Sequence, residues 1–402
     1  MPFASFLHAC AHWALWAYLP IQLGGGDPAL VGRITALYQL VSALVLLPAG
    51  WFTDRWSPRS LCLTGTLLTG LGAALFAVGG HNAMAAVLSG GGSGLFIVSL
   101  HALFYKSLEG DHDGARTGIF VAAGLLGYAM GPLIGGQVAQ FGLGANATIA
   151  AVICAALAAL CLRLPTSAPV PVRPMSYLRD LRSPGPLLLV LVIILTSSHG
   201  GVEYVGLPAV ATELAGLTPR MQGALYAIIG MWTGMLTLGL GRAFDRSPAP
   251  VLVLAIGVGV SGTFQGLTGL AFDFGSLVGI RLAHTIGDSL FGFCIALLTA
   301  QVFPRARVGG LFALTQFVRT GTMGLFAAGT GALRPVTGLE GVFLLSGLLL
   351  VAGSAGFLVY RRDVRRAFGL PADPREEPPV VDPVMEPAVE GSTATSVPPR
   401  AR

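Results

Sequence analysis

Twelve apolar runs, each about 20 residues long, constrain this chain more than any other feature. A helix needs about 20 apolar residues to cross a bilayer, and a spanning segment must satisfy its backbone hydrogen bonds internally. Runs of this length with few charges predict an all-α integral membrane protein. The predicted spans, numbered 1 to 12, are 3–23, 29–51, 60–80, 83–104, 116–140, 145–163, 186–210, 220–241, 250–271, 274–303, 309–333 and 339–360.

The scarcity and distribution of charge support this prediction. Only 11% of the residues are charged, whereas a soluble domain carries about 25%. The basic residues are spread over short loops instead of forming one patch, so no nucleic-acid partner is expected. The cysteines lie in apolar runs without CxxC spacing, which predicts neither disulfides nor a zinc site. No Lys or Arg precedes the first run, so we expect a retained span there and not a signal peptide.

Two segments differ from the apolar runs. Residues 164–185 are rich in Pro, Ser and Arg and are predicted to form a central cytoplasmic loop. Residues 361–402 carry eight prolines and few large apolar side chains, which is typical of a disordered tail. The expected domains are therefore an N-terminal six-helix bundle at 1–163 and a C-terminal one at 186–360.

The basic residues also predict the orientation. Loops on the cytoplasmic side of a membrane protein carry an excess of Lys and Arg. We therefore expect a multi-pass protein of the cytoplasmic (inner) membrane, monomeric in the lipid bilayer, with both termini cytoplasmic. One side carries Arg55, Arg59, Lys106, Arg116, Arg163, Arg173, Arg179, Arg182, Arg242, Arg246, Arg305 and Arg307, and the other only Arg33, Arg220 and Arg334.

The two halves of the chain repeat each other. Residues 50–55 (Gly-Trp-Phe-Thr-Asp-Arg) follow span 2, and residues 241–246 (Gly-Arg-Ala-Phe-Asp-Arg) follow span 8. Residues 118–120 and 310–312 match at nearly the same offset. Such duplicated halves around a midplane cavity are typical of alternating-access carriers.

These motifs resemble the major facilitator superfamily over about residues 1–360. The resemblance implies twelve transmembrane helices in two pseudo-symmetric six-helix bundles. It also implies a conformational-switch role for a loop motif and a proton-coupled antiporter role for a span 5 motif. The loop motif is Gly50, Asp54, Arg55 and Arg59, with a second copy at Gly241, Asp245 and Arg246; the span 5 motif is Gly118, Gly127, Gly131, Pro132, Gly135 and Gly136.

Each motif also has a physical interpretation. The Asp54 carboxylate could accept hydrogen bonds from the N-terminus of span 11 in one conformer only, which would bias the conformational equilibrium. The alternative is a solvated loop carboxylate. Gly127, Gly131 and Gly135 share one helical face, on which a neighbour could slide or simply pack. The sequence departs from the family at span 4, which lacks an early arginine and has only His101 as an ionisable residue.

Ionisable residues inside predicted spans are the main site candidates, since a charge at mid-bilayer costs roughly 2.5–3.5 kcal/mol. Depths estimated from the helical rise predict two pairs, Glu203 with Arg281 and Asp288 with Arg319. Glu203 or Asp288 is the expected proton carrier, because a buried carboxylate can alternate between pairing and protonation. Permanent ion pairs that only stabilise the C-terminal half are the alternative. The candidates are His199, Glu203, Arg281, His284, Asp288 and Arg319.

Two weaker candidates concern metals. His8 with His12, and Met231 with Met235, are spaced for one helical face and could bind a soft metal in transit. Packing or cavity lining is the more common role of such pairs, so no metal site is predicted.

The sequence thus predicts a secondary active transporter. Export of a small organic molecule by proton antiport is the leading hypothesis, and proton-coupled uptake of an organic anion, favoured by Arg281 and Arg319, is the alternative. The chain has no HExxH, GxSxG or Walker-type motif, so neither an enzyme, catalytic residues nor a cofactor is expected. A channel or a sensor stays open, because a fold alone does not fix activity.

Overall fold

The computed structural model describes residues 1–24, 27–107, 113–166, 183–244, 250–302 and 308–370, and every regular element within them is helical. Helix numbers below follow the predicted span numbers. The helices are α1 (Pro2–Trp16, continued by Leu19–Gly24), α2 (Pro28–Arg55), α3 (Pro58–Val78), α4 (Asn82–Lys106), α5 (Asp113–Val138), α6 (Leu143–Cys161), α7 (Pro184–Ala209, continued by a π-helical turn Val210–Leu214), α8 (Pro219–Phe244), α9 (Pro250–Thr268) and α10 (Phe274–Val302). Val308–Val359 forms α11 and α12, separated at the non-helical Gly338 (φ 71°).

Most of these helices are membrane spans by length and composition. Eight helices of the described residues are long and apolar enough to cross a membrane, with α11 and α12 counted as one. The other three long helices, α1, α8 and α10, pack among them and complete an all-α bundle of twelve. Helices α1, α2, α3, α7, α8 and α9 begin at or next to a proline, which suits a position whose N–H has no partner within the helix.

Three boundaries differ from the predicted ones. Helix α2 continues to Arg55, so the Asp54 position belongs to its last turn and not to a loop. Helix α1 is interrupted after Trp16, where the sequence predicts one continuous span. Part of the predicted disordered tail is helical over Arg361–Ala367, because Val364 and Phe368 bury their side chains in the core of the second half. Residues 167–182 of the predicted central loop and 371–402 of the tail lie outside the described residues.

The packing pattern repeats with a period of six helices. In the first half, α1 packs on α5, α2 on α4, and α3 on both α4 and α6. In the second half, α7 packs on α11, α8 on α10, and α9 on both α10 and α12. Each contact of the first half therefore has an equivalent in the second, as the sequence repeat predicts.

The two halves meet along two helix pairs, α2 with α11 and α5 with α8. We call the face at which α1 begins the terminal face and the opposite one the distal face. A Cβ atom on Gly32 of α2 would lie 2.9 Å from Cα of Gly331 on α11, so these helices nearly touch at the distal face. Contacts of α5 with α8 run from Gly136 to Ala129, and no described atom lies within 4 Å of a Cβ built on Gly234 further along α8. The halves are thus in close contact along α5 and α8 near the distal face.

Candidate functional site

A cavity of about 670 Å³ lies between the two halves. Six helices line it: α1 and α5 from the first half, and α7, α8, α10 and α11 from the second. Its lining reaches Thr299 and Phe312, near the terminal-face ends of α10 and α11. The cavity therefore lies near mid-membrane and extends toward the terminal face.

Four ionisable side chains of α7 and α10 meet at one wall of this cavity. Nη1 of Arg281 lies 2.6 Å from Oε1 of Glu203, so the predicted pairing of these two residues is confirmed. Nε2 of His284 lies 2.9 Å from the same Glu203 oxygen and 3.1 Å from Oδ2 of Asp288. The helical spacing brings His284 and Asp288 onto one face of α10, and α7 places Glu203 opposite them.

His199 completes this group from α7. Its Nε2 atom lies 3.6 Å from Oδ1 of Asp288, and its buried Nδ1 atom has no hydrogen-bond partner among the described residues. We call His199, Glu203, Arg281, His284 and Asp288 the charge cluster. Arg281 and His284 are almost fully buried, whereas Glu203 and Asp288 line the cavity.

Helix α9 fixes the orientation of the cluster from behind. Nδ1 of His284 donates a hydrogen bond to the backbone oxygen of Ser261 (2.9 Å), and the Ser261 hydroxyl donates to Oδ1 of Asp288 (2.7 Å). Nη1 of Arg281 donates to Oε1 of Gln265 (3.3 Å). The sequence analysis missed Ser261 and Gln265, although their polar side chains, four residues apart in an apolar span, were a usable signal.

The contacts of His284 fix where its ring carries hydrogen. Nδ1 of His284 must carry hydrogen, because its partner is a carbonyl oxygen. Nε2 of His284 then faces carboxylate oxygens of Glu203 and Asp288 and is aligned for a hydrogen bond with neither. Two carboxylates and a ring nitrogen repel one another unless a proton lies between them. A proton on Nε2 of His284 would lie between the two carboxylates and reduce this repulsion.

The same side chains offer four metal-ligand atoms. One such atom each from His199, Glu203, His284 and Asp288 lies within 4.8 Å of the others. The guanidinium of Arg281 already bonds the Glu203 oxygen that would face a metal ion. This fixed positive charge would repel a divalent cation at the same place.

Arg319 of α11 differs from the other intramembrane charges. It lines the cavity, its side chain is exposed there, and it makes no ion pair or hydrogen bond with any described residue. The predicted pairing of Asp288 with Arg319 is wrong, because His284, His199 and Ser261 occupy the carboxylate of Asp288. Arg319 is thus an uncompensated cation that faces the cavity.

Aromatic rings line another part of the cavity. Trp13 of α1 contacts the rings of Tyr128 (centroids 4.7 Å apart), Tyr204 (5.2 Å) and Tyr226 (6.2 Å). We call these four side chains the aromatic wall; all of them line the cavity. No sequence pattern singles out Tyr128, Tyr204 and Tyr226, because they are isolated tyrosines in three different helices.

The span 5 glycines pack directly on α1. A Cβ atom on Gly131 would lie 2.6 Å from the backbone oxygen of Cys10, and one on Gly135 would lie 2.8 Å from the ring of Tyr18. Gly127 faces α1 in the same way, and Gly136 faces Pro219 of α8. The hydroxyl of Tyr18 lies within hydrogen-bond distance of the backbone oxygens of Pro132 (2.7 Å) and Pro219 (3.1 Å), which share its single hydrogen; the contact with Pro219 joins the halves at the distal face. Gly118 lies in the first turns of α5, and its surroundings are outside the described part.

The loop motif is described only in part. Gly50 packs against Ala313 of α11, where an added Cβ would lie 2.9 Å from the alanine side chain. Arg59 is half-buried in the first turn of α3, and Gly241 lies in the last turn of α8. The side chains of Asp54 and Arg55, and the residues Asp245 and Arg246, lie outside the described part of the chain.

The histidine and methionine pairs do not form a shared site. Nε2 of His8 lies 3.1 Å from the Ser93 hydroxyl, whereas the ring nitrogens of His12 lie near the hydroxyls of Tyr204 (2.8 Å) and Tyr38 (3.1 Å). Met231 and Met235 are more than half exposed on the surface of α8. These four described residues therefore do not form the soft-metal site that their spacing suggested.

Comparisons with known proteins agree with this architecture. The family described as Major Facilitator Superfamily matches residues 2–264. None of the curated proteins compared with the sequence matches it significantly. Among solved structures, a POT family transporter in complex with a thioalcohol-conjugated peptide has a TM-score of 0.76 at 14% identity and covers 90% of this chain and 95% of its own.

Two further structures of this kind are similar. A POT family transporter in complex with 5-aminolevulinic acid has a TM-score of 0.74 at 14% identity, with 90% of this chain and 95% of that chain covered. A mutant of the peptide transporter POT in complex with sulfate has a TM-score of 0.77 at 14% identity, with 91% and 94% covered. At this identity the likeness concerns the fold.

Proposed function

Because this chain belongs to the major facilitator superfamily, we propose that it is a secondary transporter that carries a small organic anion together with a proton. The observation that carries the proposal is Arg319, an uncompensated cation in a cavity whose other charges neutralise one another when one proton is bound. The proton site is the charge cluster, and the anion site is Arg319.

The charges of the cavity support coupling between proton and anion. With the shared proton on His284, the cations Arg281 and His284 balance the anions Glu203 and Asp288, and Arg319 leaves one positive charge. A bound anion would neutralise that charge. Without the proton, the cluster carries one negative charge, which Arg319 balances across the cavity.

The cavity is therefore electrically neutral in two conditions: empty, or loaded with one proton and one anion. A half-loaded cavity carries one net charge inside the membrane, which costs roughly 2.5–3.5 kcal/mol on insertion scales. The empty and the fully loaded protein should change conformation more readily than the half-loaded forms. This condition defines a symporter, and it makes transport electroneutral.

Alternating access would occur by movement of the two halves, 1–163 and 186–360, around the cavity. The contacts of Tyr18 with Pro219 and of Gln222 with the Ala17 oxygen (2.9 Å) join the halves at the distal face. The close approach of Gly50 to α11 supports a switch role for the loop motif at the other face. With the termini in the cytoplasm, an inward proton gradient would drive uptake.

The charge pattern favours an anion over a zwitterion. The similar solved structures include complexes with a peptide conjugate and with 5-aminolevulinic acid. An amino group in the substrate would need a free carboxylate, but Glu203 and Asp288 each contact a cationic or hydrogen-bonding partner already. Arg319 has no such partner in the described part of the chain and can bind an anionic group through charge-assisted hydrogen bonds.

Proton-coupled export is the second candidate, and the span 5 glycines favour it. Gly127, Gly131 and Gly135 face the backbone of α1 without side chains between them, as the resemblance to antiporters implies. In an antiporter the proton and the substrate must occupy the site in turn. The unpaired positive charge of Arg319 favours symport over antiport. The direction of the proton gradient that drives accumulation distinguishes symport from antiport.

The test uses proteoliposomes and labelled benzenesulfonate, an anion that cannot cross the bilayer as a neutral acid. We expect accumulation when the outside is more acidic, and no response to an imposed membrane potential at equal pH. Protein-free vesicles serve as the control. Accumulation only when the inside is more acidic would replace symport by antiport, and accumulation under neither gradient would contradict proton coupling.

A further inference from the structure

The aromatic wall and Arg319 line the same cavity. Trp13, Tyr128, Tyr204 and Tyr226 come from α1, α5, α7 and α8, and Arg319 comes from α11. We propose that the substrates are small aromatic anions, whose ring packs on the aromatic wall while the anionic group binds Arg319. This inference rests on the proposed function and adds the chemical class of the substrate.

The aromatic wall is accessible from the cavity. Trp13 and Tyr128 are only partly buried although they lie in the interior of the helix bundle, so the exposed part of each ring faces the cavity. The indole N–H of Trp13 and the hydroxyl of Tyr128 make no hydrogen bond with a described residue. Rings packed only as protein core would be buried on all sides, as Phe76 and Phe343 are.

The wall is also held in place before a substrate arrives. The hydroxyl of Tyr204 lies 2.8 Å from Nε2 of His12, whose Nδ1 lies 3.1 Å from the hydroxyl of Tyr38. Trp13 and Tyr128 meet edge to face, with an interplanar angle of 89°. Rings with fixed orientations bind another ring with little loss of conformational entropy, and aromatic pairs gain from offset or edge contacts.

The cavity is large enough for this class of substrate. Its volume of about 670 Å³ lies in the range of sites that bind organic molecules. Glu203 and Asp288, the acidic groups of the charge cluster that face the cavity, are engaged with Arg281 and with His284 and Ser261. Among the described residues that line the cavity, an aromatic anion would thus meet the unpaired cation Arg319 and an extended aromatic surface, and both carboxylates there are already paired.

Binding of matched probes to the purified full-length protein tests this inference. The probes are benzenesulfonate, cyclohexanesulfonate with the same charge but no aromatic ring, and benzyl alcohol with the ring but no charge. We expect benzenesulfonate to raise the unfolding temperature most and to bind about three- to tenfold more tightly than cyclohexanesulfonate, the gain typical of aromatic pairs. Equal affinity for the two sulfonates would overturn the inference.

Substitutions in the aromatic wall test whether it causes the preference for benzenesulfonate over cyclohexanesulfonate. Trp13→Leu should remove the preference, so that benzenesulfonate and cyclohexanesulfonate bind with equal affinity. Tyr128→Leu provides a second test if Trp13→Leu does not fold, and Trp56→Leu, an exposed tryptophan outside the cavity, is the matched control. A preference that survives in both Trp13→Leu and Tyr128→Leu would contradict the role of the wall.

This outcome is distinguishable from failure of the proposed function. If the protein binds both sulfonates equally and still accumulates them with protons, the aromatic inference is wrong and symport stands. If it prefers the aromatic probe but no proton gradient drives accumulation, the aromatic inference stands and symport is wrong.

Discussion

The Nε2 atom of His284 on α10 lies 2.9 Å from the Oε1 atom of Glu203 on α7. The imidazole of His284 thereby links α10 to the carboxylate of Glu203 on α7. Because the other ring nitrogen of His284 bonds a backbone carbonyl, a proton gained by this ring would be carried at Nε2. Such a proton would change the net charge of the cavity by one.

Asp288→Asn should uncouple transport from protons. The amide has the shape of the carboxylate but removes one negative charge, so the variant resembles the proton-loaded cluster. We expect a pH gradient to drive no accumulation of benzenesulfonate in proteoliposomes, while exchange of labelled for unlabelled anion continues. Asp273→Asn, in the exposed turn before α10, is the control. Full proton-driven accumulation in Asp288→Asn would exclude Asp288 from the proton site.

Arg319→Gln should weaken anion binding without loss of stability. Hydrogen bonds to charged groups contribute about 1.5–3 kcal/mol, so the dissociation constant for benzenesulfonate should rise about tenfold to a hundredfold. Stability should be kept, since Arg319 makes no ion pair with a described residue. Calorimetric titration measures the affinity, with Arg33→Gln, an exposed arginine at the distal face, as control. Unchanged affinity would remove Arg319 from the site.

Arg281→Met should destabilise the protein strongly, because it leaves the carboxylate of Glu203 without its guanidinium partner. Removing one member of a buried ion pair costs about 3–5 kcal/mol. The double variant Glu203→Met with Arg281→Met should be considerably more stable than Arg281→Met alone, since no unpaired charge is left from the pair. Chemical unfolding in detergent micelles measures both. A double variant less stable than Arg281→Met would show that the two side chains act independently.

The helix order and one ion pair could be predicted from sequence, whereas the partners of Asp288 could not. Depth along a helix axis placed Glu203 level with Arg281, and the structure pairs them. Depth also placed Asp288 near Arg319, but the rotation of α10 turns Asp288 toward Ser261 of α9 and His199 of α7 instead. Rotation depends on how α9 packs behind α10, and apolar periodicity is weak in helices that are apolar on all sides.

The sequence predicted that the span 5 glycines form a packing face, but it did not predict which helix packs on that face. The spacing of Gly127, Gly131 and Gly135 predicts a face without side chains, but the partner helix follows only from the tertiary fold. Tyr128 lies on the same helix and its place in the aromatic wall was missed, because a single tyrosine in a span has no pattern. Trp13, Tyr128 and Tyr226 lie on α1, α5 and α8 and are far apart in sequence, so their contact in the aromatic wall follows only from the tertiary fold.

Gly131→Ala should destabilise the contact between α5 and α1. The added Cβ would lie 2.6 Å from the backbone oxygen of Cys10, and backbone cannot move aside as a flexible side chain does. Overpacking of this kind costs about 1–3 kcal/mol. The matched control is Gly234→Ala on α8, where no described atom lies within 4 Å of the new Cβ; it should be neutral or stabilising. Equal effects of the two substitutions on unfolding would contradict close α5–α1 packing.

Tyr18→Phe should shift the protein toward forms that are open at the distal face. Its hydroxyl is bonded to the backbone oxygens of Pro132 and Pro219, and the second of these bonds joins the two halves. A hydrogen bond contributes about 0.5–1.5 kcal/mol, so the ratio of open to closed forms should rise roughly two- to tenfold. Spin labels at His81→Cys and Phe272→Cys, two exposed positions at the distal face, report the separation of the halves. The longer distance should gain population in Tyr18→Phe and not in Tyr360→Phe, an exposed tyrosine at the terminal face. An unchanged distance distribution would mean that other contacts, such as Gln222 with Ala17, hold the distal face closed without Tyr18.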